Sequence, residues 1–96
     1  MADTIPPVIT DISVINLANN SAEVTWETDE FADSMLKYGV NSTAYTETCI
    51  DVLFVKEHEI TLTGLSPDTT YYLVVNSTDQ SGNSAESSEY SFKYDW

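Results

Sequence analysis

Ninety-six residues, 42% of them hydrophobic, make one domain with one core, too short for two and tight for an enzyme with its own cleft. Sixteen Asp and Glu stand against three Lys for a net charge of −13, a balance that repels phosphate and excludes nucleic acid and anionic membrane as natural partners. The single cysteine, Cys49, rules out an internal disulfide and an all-cysteine zinc site, and reads as a small strand hydrophobe.

The acidic excess reads as a solvated coat of the kind that keeps an extracellular or high-salt protein soluble. No stretch approaches the ~20 apolar residues of a spanning helix, so no direct membrane insertion is expected. Met1-Ala2-Asp3 lacks the basic start and apolar run of a signal peptide, and residues 1–7 read as the linker end of an excised module. Pro6 and Pro7 stiffen that lead-in, because each denies the helical region to the residue before it.

Residues 8–94 read as the folded domain and residues 95–96 as its end. Residues 8–17 carry β-branched side chains in broken alternation, which predicts a strand with Ile9, Ile12 and Val14 inward and a bulge between the first two. After turn chemistry at Ala18-Asn19-Asn20, residues 21–28 alternate cleanly, with Ala22, Val24 and Trp26 on the core face. Residues 29–33 read as a polar loop in which Phe31 caps the core. A third strand, 34–39, turns Leu36 and Tyr38 inward and Met35 and Lys37 outward.

Residues 44–50 read as a weaker edge strand, and 51–56 as a loop or short strand that folds its apolar patch over the sandwich edge. The alternation resumes over 57–65, with Ile60 and Leu62 inward. Leu65-Ser66-Pro67-Asp68-Thr69-Thr70-Tyr71 then forms a corner: Pro67 sets φ, Asp68 and Thr69 can bond their own backbone, and Tyr71 opens the sixth strand. A Tyr placed there can bury its ring and return its hydroxyl to the turn backbone. The sixth strand buries Tyr71, Leu73 and Val75 and presents Tyr72, Val74 and Asn76. A hairpin loop over 79–83, with Gly82 and Asn83 suited to positive φ, leads to the seventh strand, 84–94.

Seven short strands with turns every ~8–12 residues predict an all-β, antiparallel, immunoglobulin-like sandwich. The Leu-x-Pro-x-Thr-x-Tyr spacing from Leu65 to Tyr71 resembles the tyrosine corner of fibronectin type III domains. Trp26 on the second strand and Tyr38 on the third fit that family better than the immunoglobulin pattern of paired cysteines. Within the family, residues 28–39 and 58–65 resemble a subgroup from prokaryotic, including archaeal, surface proteins, and are similar to the N-terminal sandwich of purple acid phosphatases. The latter resemblance implies a module attached to something else, since the metal ligands of those phosphatases lie in a separate catalytic domain.

Glu57-His58-Glu59 invites a metal reading, but in a strand the two carboxylates face one way and the imidazole the other, so His58 reads as a half-buried strand-end residue. One His and one Cys without an orienting third group offer no nucleophilic site. The resemblance places the loops at 29–33 and 79–83 at one pole, where Asp29, Glu30, Asp33 and Asp79, with Asp11 nearby, are the candidate oxygen ligands for Ca²⁺. The Arg-Gly-Asp adhesion motif of some family members is absent, because the chain has no Arg. Asn19, Asn41 and Asn76 begin N-glycosylation sequons, each expected to be reachable.

Tyr45, Tyr72 and Tyr94 are candidate exposed aromatics for stacking on a glycan. Tyr72, Lys37 and Met35 share the outer sheet face, the best candidate contact surface. The resulting expectation is a spacer or protein-interaction module of a larger extracellular or cell-envelope protein, not an enzyme, needing no cofactor. Its partners would be neighbouring domains of the same polypeptide, other surface proteins or glycans. The alternative is an accessory domain of a secreted hydrolase, a phosphatase or glycoside hydrolase.

Overall fold

A computed structural model describes residues 5–95, so residues 1–4 of the expected linker and Trp96 lie outside the described residues. Six strands form: β1 (Ile9–Leu17), β2 (Ser21–Gly39), β3 (Glu47–Leu62), β4 (Thr69–Thr78), β5 (Ser84–Glu86) and β6 (Tyr90–Tyr94). Every pairing among them is antiparallel.

Two layers arise because β2 and β3 each serve both. The first half of β2 pairs with β1 and with the end of β3, as in Val14↔Val24 and Val24↔Ile60. Its second half pairs with the start of β3 and with β4, as in Leu36↔Cys49 and Leu36↔Val75. β4 in turn carries β5 and β6. Side chains from both layers meet in one core of Ala22, Val24, Trp26 and Leu62 against Leu36, Leu73, Val75 and Tyr71, with Ile9, Ile12, Val14, Tyr38, Cys49 and Phe92 packed on its margin.

The expected count of seven becomes six for a physical reason. Between Glu27↔Glu57 and Ala32↔Val55, β2 spends five steps against two on β3, and between Ala32 and Ser34 the excess passes to β3. Compensating bulges bend both strands from one layer into the other without breaking them. The predicted loop at 29–33 and the predicted edge flap at 51–56 are therefore continuous strand. The seventh expected strand is instead interrupted, giving β5 and β6.

Some side chains depart from the alternation. Phe31 does not cap the core: it is 58% exposed, with the Lys56 ammonium 5.1 Å above its ring, and Ala32 takes the buried place. Val74, expected outward and exposed, is buried at its position opposite Lys37, whose ammonium reaches Glu86 at 3.7 Å. Tyr94 is buried as well: its hydroxyl donates to Leu17 O at 2.6 Å, which ties β6 to the end of β1. Asn16 Nδ2 adds a second tie, to Lys93 O at 3.0 Å.

Two local expectations hold in detail. The β1 register shifts between Thr10 and Ser13, where Asp11 adopts φ 55°, so the bulge lies between Ile9 and Ile12. At the corner, Ser66 N–H donates to Tyr71 Oη at 2.7 Å, and the Tyr71 ring stacks on Phe92 with Tyr38 at its edge. Asp68 takes φ 55° and its N–H donates to Tyr94 O, so the corner is also sewn to β6.

Candidate functional site

The strongest convergence of polar side chains lies where β2 and β3 change layers. Trp26 and His58 are paired residues on the inner face of the first layer, and their rings stack with centroids 5.1 Å apart. Ser34 Oγ lies 2.6 Å from His58 Nδ1, and Thr28 Oγ1 lies 2.8 Å from Nε2. Thr28 gives its own hydroxyl proton to Glu30 O at 2.7 Å. Its oxygen must then accept from the imidazole, so the neutral ring carries its proton on Nε2 and Nδ1 accepts from Ser34. Trp26 Nε1 donates to the buried Ser77 hydroxyl at 3.0 Å, completing the satisfaction of the polar groups around the stack.

His58 is thus no half-buried strand end: it is 2% exposed, as is Ser34, and Thr28 is 6% exposed. Burial lowers its pKa from the ordinary 6.5, and the nearby charges of Asp33 and Asp51, which oppose that shift, do not outweigh it. A serine hydroxyl on a histidine nitrogen is the start of a nucleophile and base pair. Here no substrate reaches it, because both partners are sealed beneath the strands. Sequence reasoning missed Ser34 and Thr28, since nothing in the stretch from Glu27 to Met35 marks which hydroxyls will face the ring.

Glu57 and Glu59 point outward, opposite to His58, as strand geometry requires. With Asp11, Thr25 and Glu27 they line an open depression whose floor is completed by the almost wholly buried Trp26 and His58. A hydrogen bond with Asp11, more than its charge, pushes Glu27 above the usual carboxylate range. Among the described residues, no group of three or more His, Cys, Asp or Glu is placed to hold a metal ion.

The structure gives the candidate calcium carboxylates separate work. Asp29 Oδ1 accepts from Val8 N–H at 2.8 Å, and Asp33 Oδ1 from Thr78 N–H at 2.8 Å. Asp79, 5% exposed, accepts from the N–H groups of Ser81 and Asn83 and from Asn83 Nδ2, which closes the 79–83 turn around one side chain. Ala32 bridges to Asp79, so the 29–33 segment of β2 and the 79–83 turn do meet at one pole, as the resemblance implied. Glu30 is partly buried there, its carbonyl taken by Thr28.

Asn19 and Asn41 are exposed, whereas Asn76 is half-buried in the ladder between Met35 and Glu86. Ser42 and Thr43, which follow Asn41, both donate to Glu89, as does Tyr45 Oη at 2.7 Å. Those bonds hold Glu89 below the usual carboxylate range and push Tyr45 up to about 12. Tyr45 is thereby committed to a loop clamp, and Tyr94 to the core, so of the candidate sugar-stacking rings only Tyr72 remains on a sheet face, beside Lys37 and Met35.

The family model described as "Purple acid Phosphatase, N-terminal domain" matches residues 7–94. No curated protein matches. A solved chain described as "Myokine structure" superposes with a TM-score of 0.80 at 23% identity, covering 96% of this chain and 100% of that one. The FN5 domain of Drosophila Lar gives 0.61 at 21% identity over 96% and 99% of the two chains. The third fibronectin III domain of human KIAA0343 protein gives 0.66 at 18% identity over 95% and 82%. These likenesses establish the fold, a fibronectin type III sandwich.

Proposed function

The chain belongs to the purple acid phosphatase N-terminal domain family, and from that premise we propose that it is a non-catalytic spacer or interaction module of a larger extracellular or cell-envelope protein. The observation that carries this reading is the sealing of Ser34 and His58, the serine hydroxyl on an imidazole nitrogen, each 2% exposed. A spacer also suits the path of the chain. β1 starts at the pole of Asp29 and Asp79, and β6 ends at the opposite pole beside Leu17 and Thr69. Neighbouring domains of the same polypeptide are the first partners to expect, before other surface proteins or glycans.

A second reading, an accessory domain of a secreted hydrolase, is favoured by the family itself, whose description is that of a phosphatase's N-terminal part. Both readings predict no turnover of a phosphate monoester or a chromogenic glycoside by this chain, with or without added divalent metal. Turnover lost on Ser34→Ala substitution would overturn them. Immunodetection in medium and envelope fractions tests the location, and a purely cytoplasmic signal would sink it.

A further inference from the structure

Three tripeptides carry the acceptor sequence Asn-X-Ser/Thr, and the fold accounts for two of them. In Asn19-Asn20-Ser21 every residue serves the turn between β1 and β2. Asn19 and Asn20 take φ 63° and 58°, which Asn tolerates, Asn20 Nδ2 donates to Leu65 O at 2.7 Å, and Ser21 Oγ donates to Ala18 O at 2.8 Å. Asn76-Ser77-Thr78 closes β4. There Asn76 is half-buried between Met35 and Glu86, and the wholly buried Ser77 receives the Trp26 indole N–H.

Asn41-Ser42-Thr43 is different. The Asn41 carbonyl accepts from Ala44 N–H at 3.1 Å, which closes a four-residue turn between β2 and β3. Glu89 holds that turn, taking Ser42 Oγ at 2.6 Å and Thr43 N–H at 2.8 Å. The Asn41 side chain has no such duty: it is exposed and, among the described residues, makes no hydrogen bond. Thr43 is the anomaly. Of the five non-glycine residues with positive φ among those described, four are Asn or Asp and the fifth is Thr43, at 62°. The third place of such a turn is where Gly or Asn is usual, and a β-branched side chain there is strained. Its hydroxyl donates to the neighbouring Ser42 O at 2.6 Å and ties the turn to no other element.

A hydroxyl two residues after an exposed, unengaged Asn is what glycan attachment requires and what the turn itself does not. We propose that Asn41 is an N-glycosylation site, and that Thr43 stands in the turn against its backbone preference to supply the hydroxyl of the acceptor sequence. This rests on the extracellular reading above, because the acceptor sequence is used on exported chains. The donor is an oligosaccharide joined through its anomeric carbon to a lipid phosphate. Asn41 Nδ2 forms a bond to that carbon as the carbon–oxygen bond to the phosphate breaks. The lipid phosphate leaves with the electron pair, and the amide nitrogen gives up one proton. Val40, 53% exposed beside Asn41, offers the first sugar an apolar surface to lie against.

The 96-residue chain, given a secretion leader and expressed in an animal cell, tests this with its route supplied. The intact mass of the secreted protein should exceed that of the bare chain, and peptide N-glycosidase should remove the excess and convert Asn41 to the acid in the peptide map. Asn41→Gln should lower the mass by one glycan, and Thr43→Ser should keep it. Thr43→Gly, which suits φ 62°, should lose the glycan, while the urea midpoint of the unglycosylated chain does not fall. A secreted wild type with Asn41 bare overturns the proposal, even where Asn19 or Asn76 is modified. A glycan that survives at Asn41 in Thr43→Gly, or a midpoint that falls in that variant, overturns it equally. None of these outcomes touches the location, which the fractionation decides.

Discussion

The imidazole of His58 lies flat on the indole of Trp26, with the ring planes 4° from parallel. Each ring spends its polar atoms on hydroxyls, Trp26 on Ser77 and His58 on Ser34 and Thr28. A neutral His58 satisfies that chain of bonds from end to end. A protonated one would present a second donor to Ser34, whose hydroxyl would have to turn elsewhere.

Stability should therefore fall in mild acid. The folded pKa of His58 lies below its ordinary 6.5, so the unfolded chain takes up the proton first. The contribution is intact above that ordinary value and is lost as pH drops below it, at no more than ~1.4 kcal/mol per pH unit. Urea unfolding of wild type and His58→Gln from neutral pH to pH 5 should show a difference that shrinks with acid. A difference constant across that range would count against the burial argument.

Ser34→Ala removes the donor to Nδ1 while leaving the ring buried. The expected loss is about 1–3 kcal/mol, the cost of an unsatisfied buried acceptor, read as a lowered urea midpoint at neutral pH.

Tyr94→Phe keeps the ring in the core and deletes only the bond to Leu17 O at 2.6 Å. A loss of about 0.5–1.5 kcal/mol is expected. Hydrogen exchange should quicken at the β1 and β6 ends more than at β2.

Gly39→Ala tests the turn between β2 and β3. A Cβ there would stand 2.5 Å from Ala44 O and 3.2 Å from Thr46 N, both backbone atoms. The loop must shift, and about 1–3 kcal/mol should be lost in denaturant melts.

Glu89→Gln should release Tyr45. With the hydrogen bond to a carboxylate gone, its phenol should ionise nearer the ordinary 10 than about 12, visible in an NMR titration of its ring.

The corner and the alternation were legible because they are local. Pro67 and Tyr71 announce their geometry within a few residues, and Val24 and Trp26 declare their face by period. The exposure of Phe31 and of Val52, Leu53 and Phe54 was not legible, since polar neighbours around an aromatic and a run of apolar residues match a loop cap and an edge flap equally well. The candidate carboxylates Asp29, Asp33 and Asp79 looked like free ligands because no sequence pattern shows which backbone N–H will reach a side chain.

By itself, then, the sequence determined the class of fold, its corner, its bulge in β1 and its acidic surface, all properties set by neighbours along the chain. Only the tertiary structure decided that β2 and β3 run unbroken through both layers, that Ser34 and Thr28 close over His58, and that β3, among the described residues, pairs with β2 alone. Those outcomes depend on pairings between residues far apart in sequence, where the register of one strand against another fixes which groups are buried and which remain unpaired.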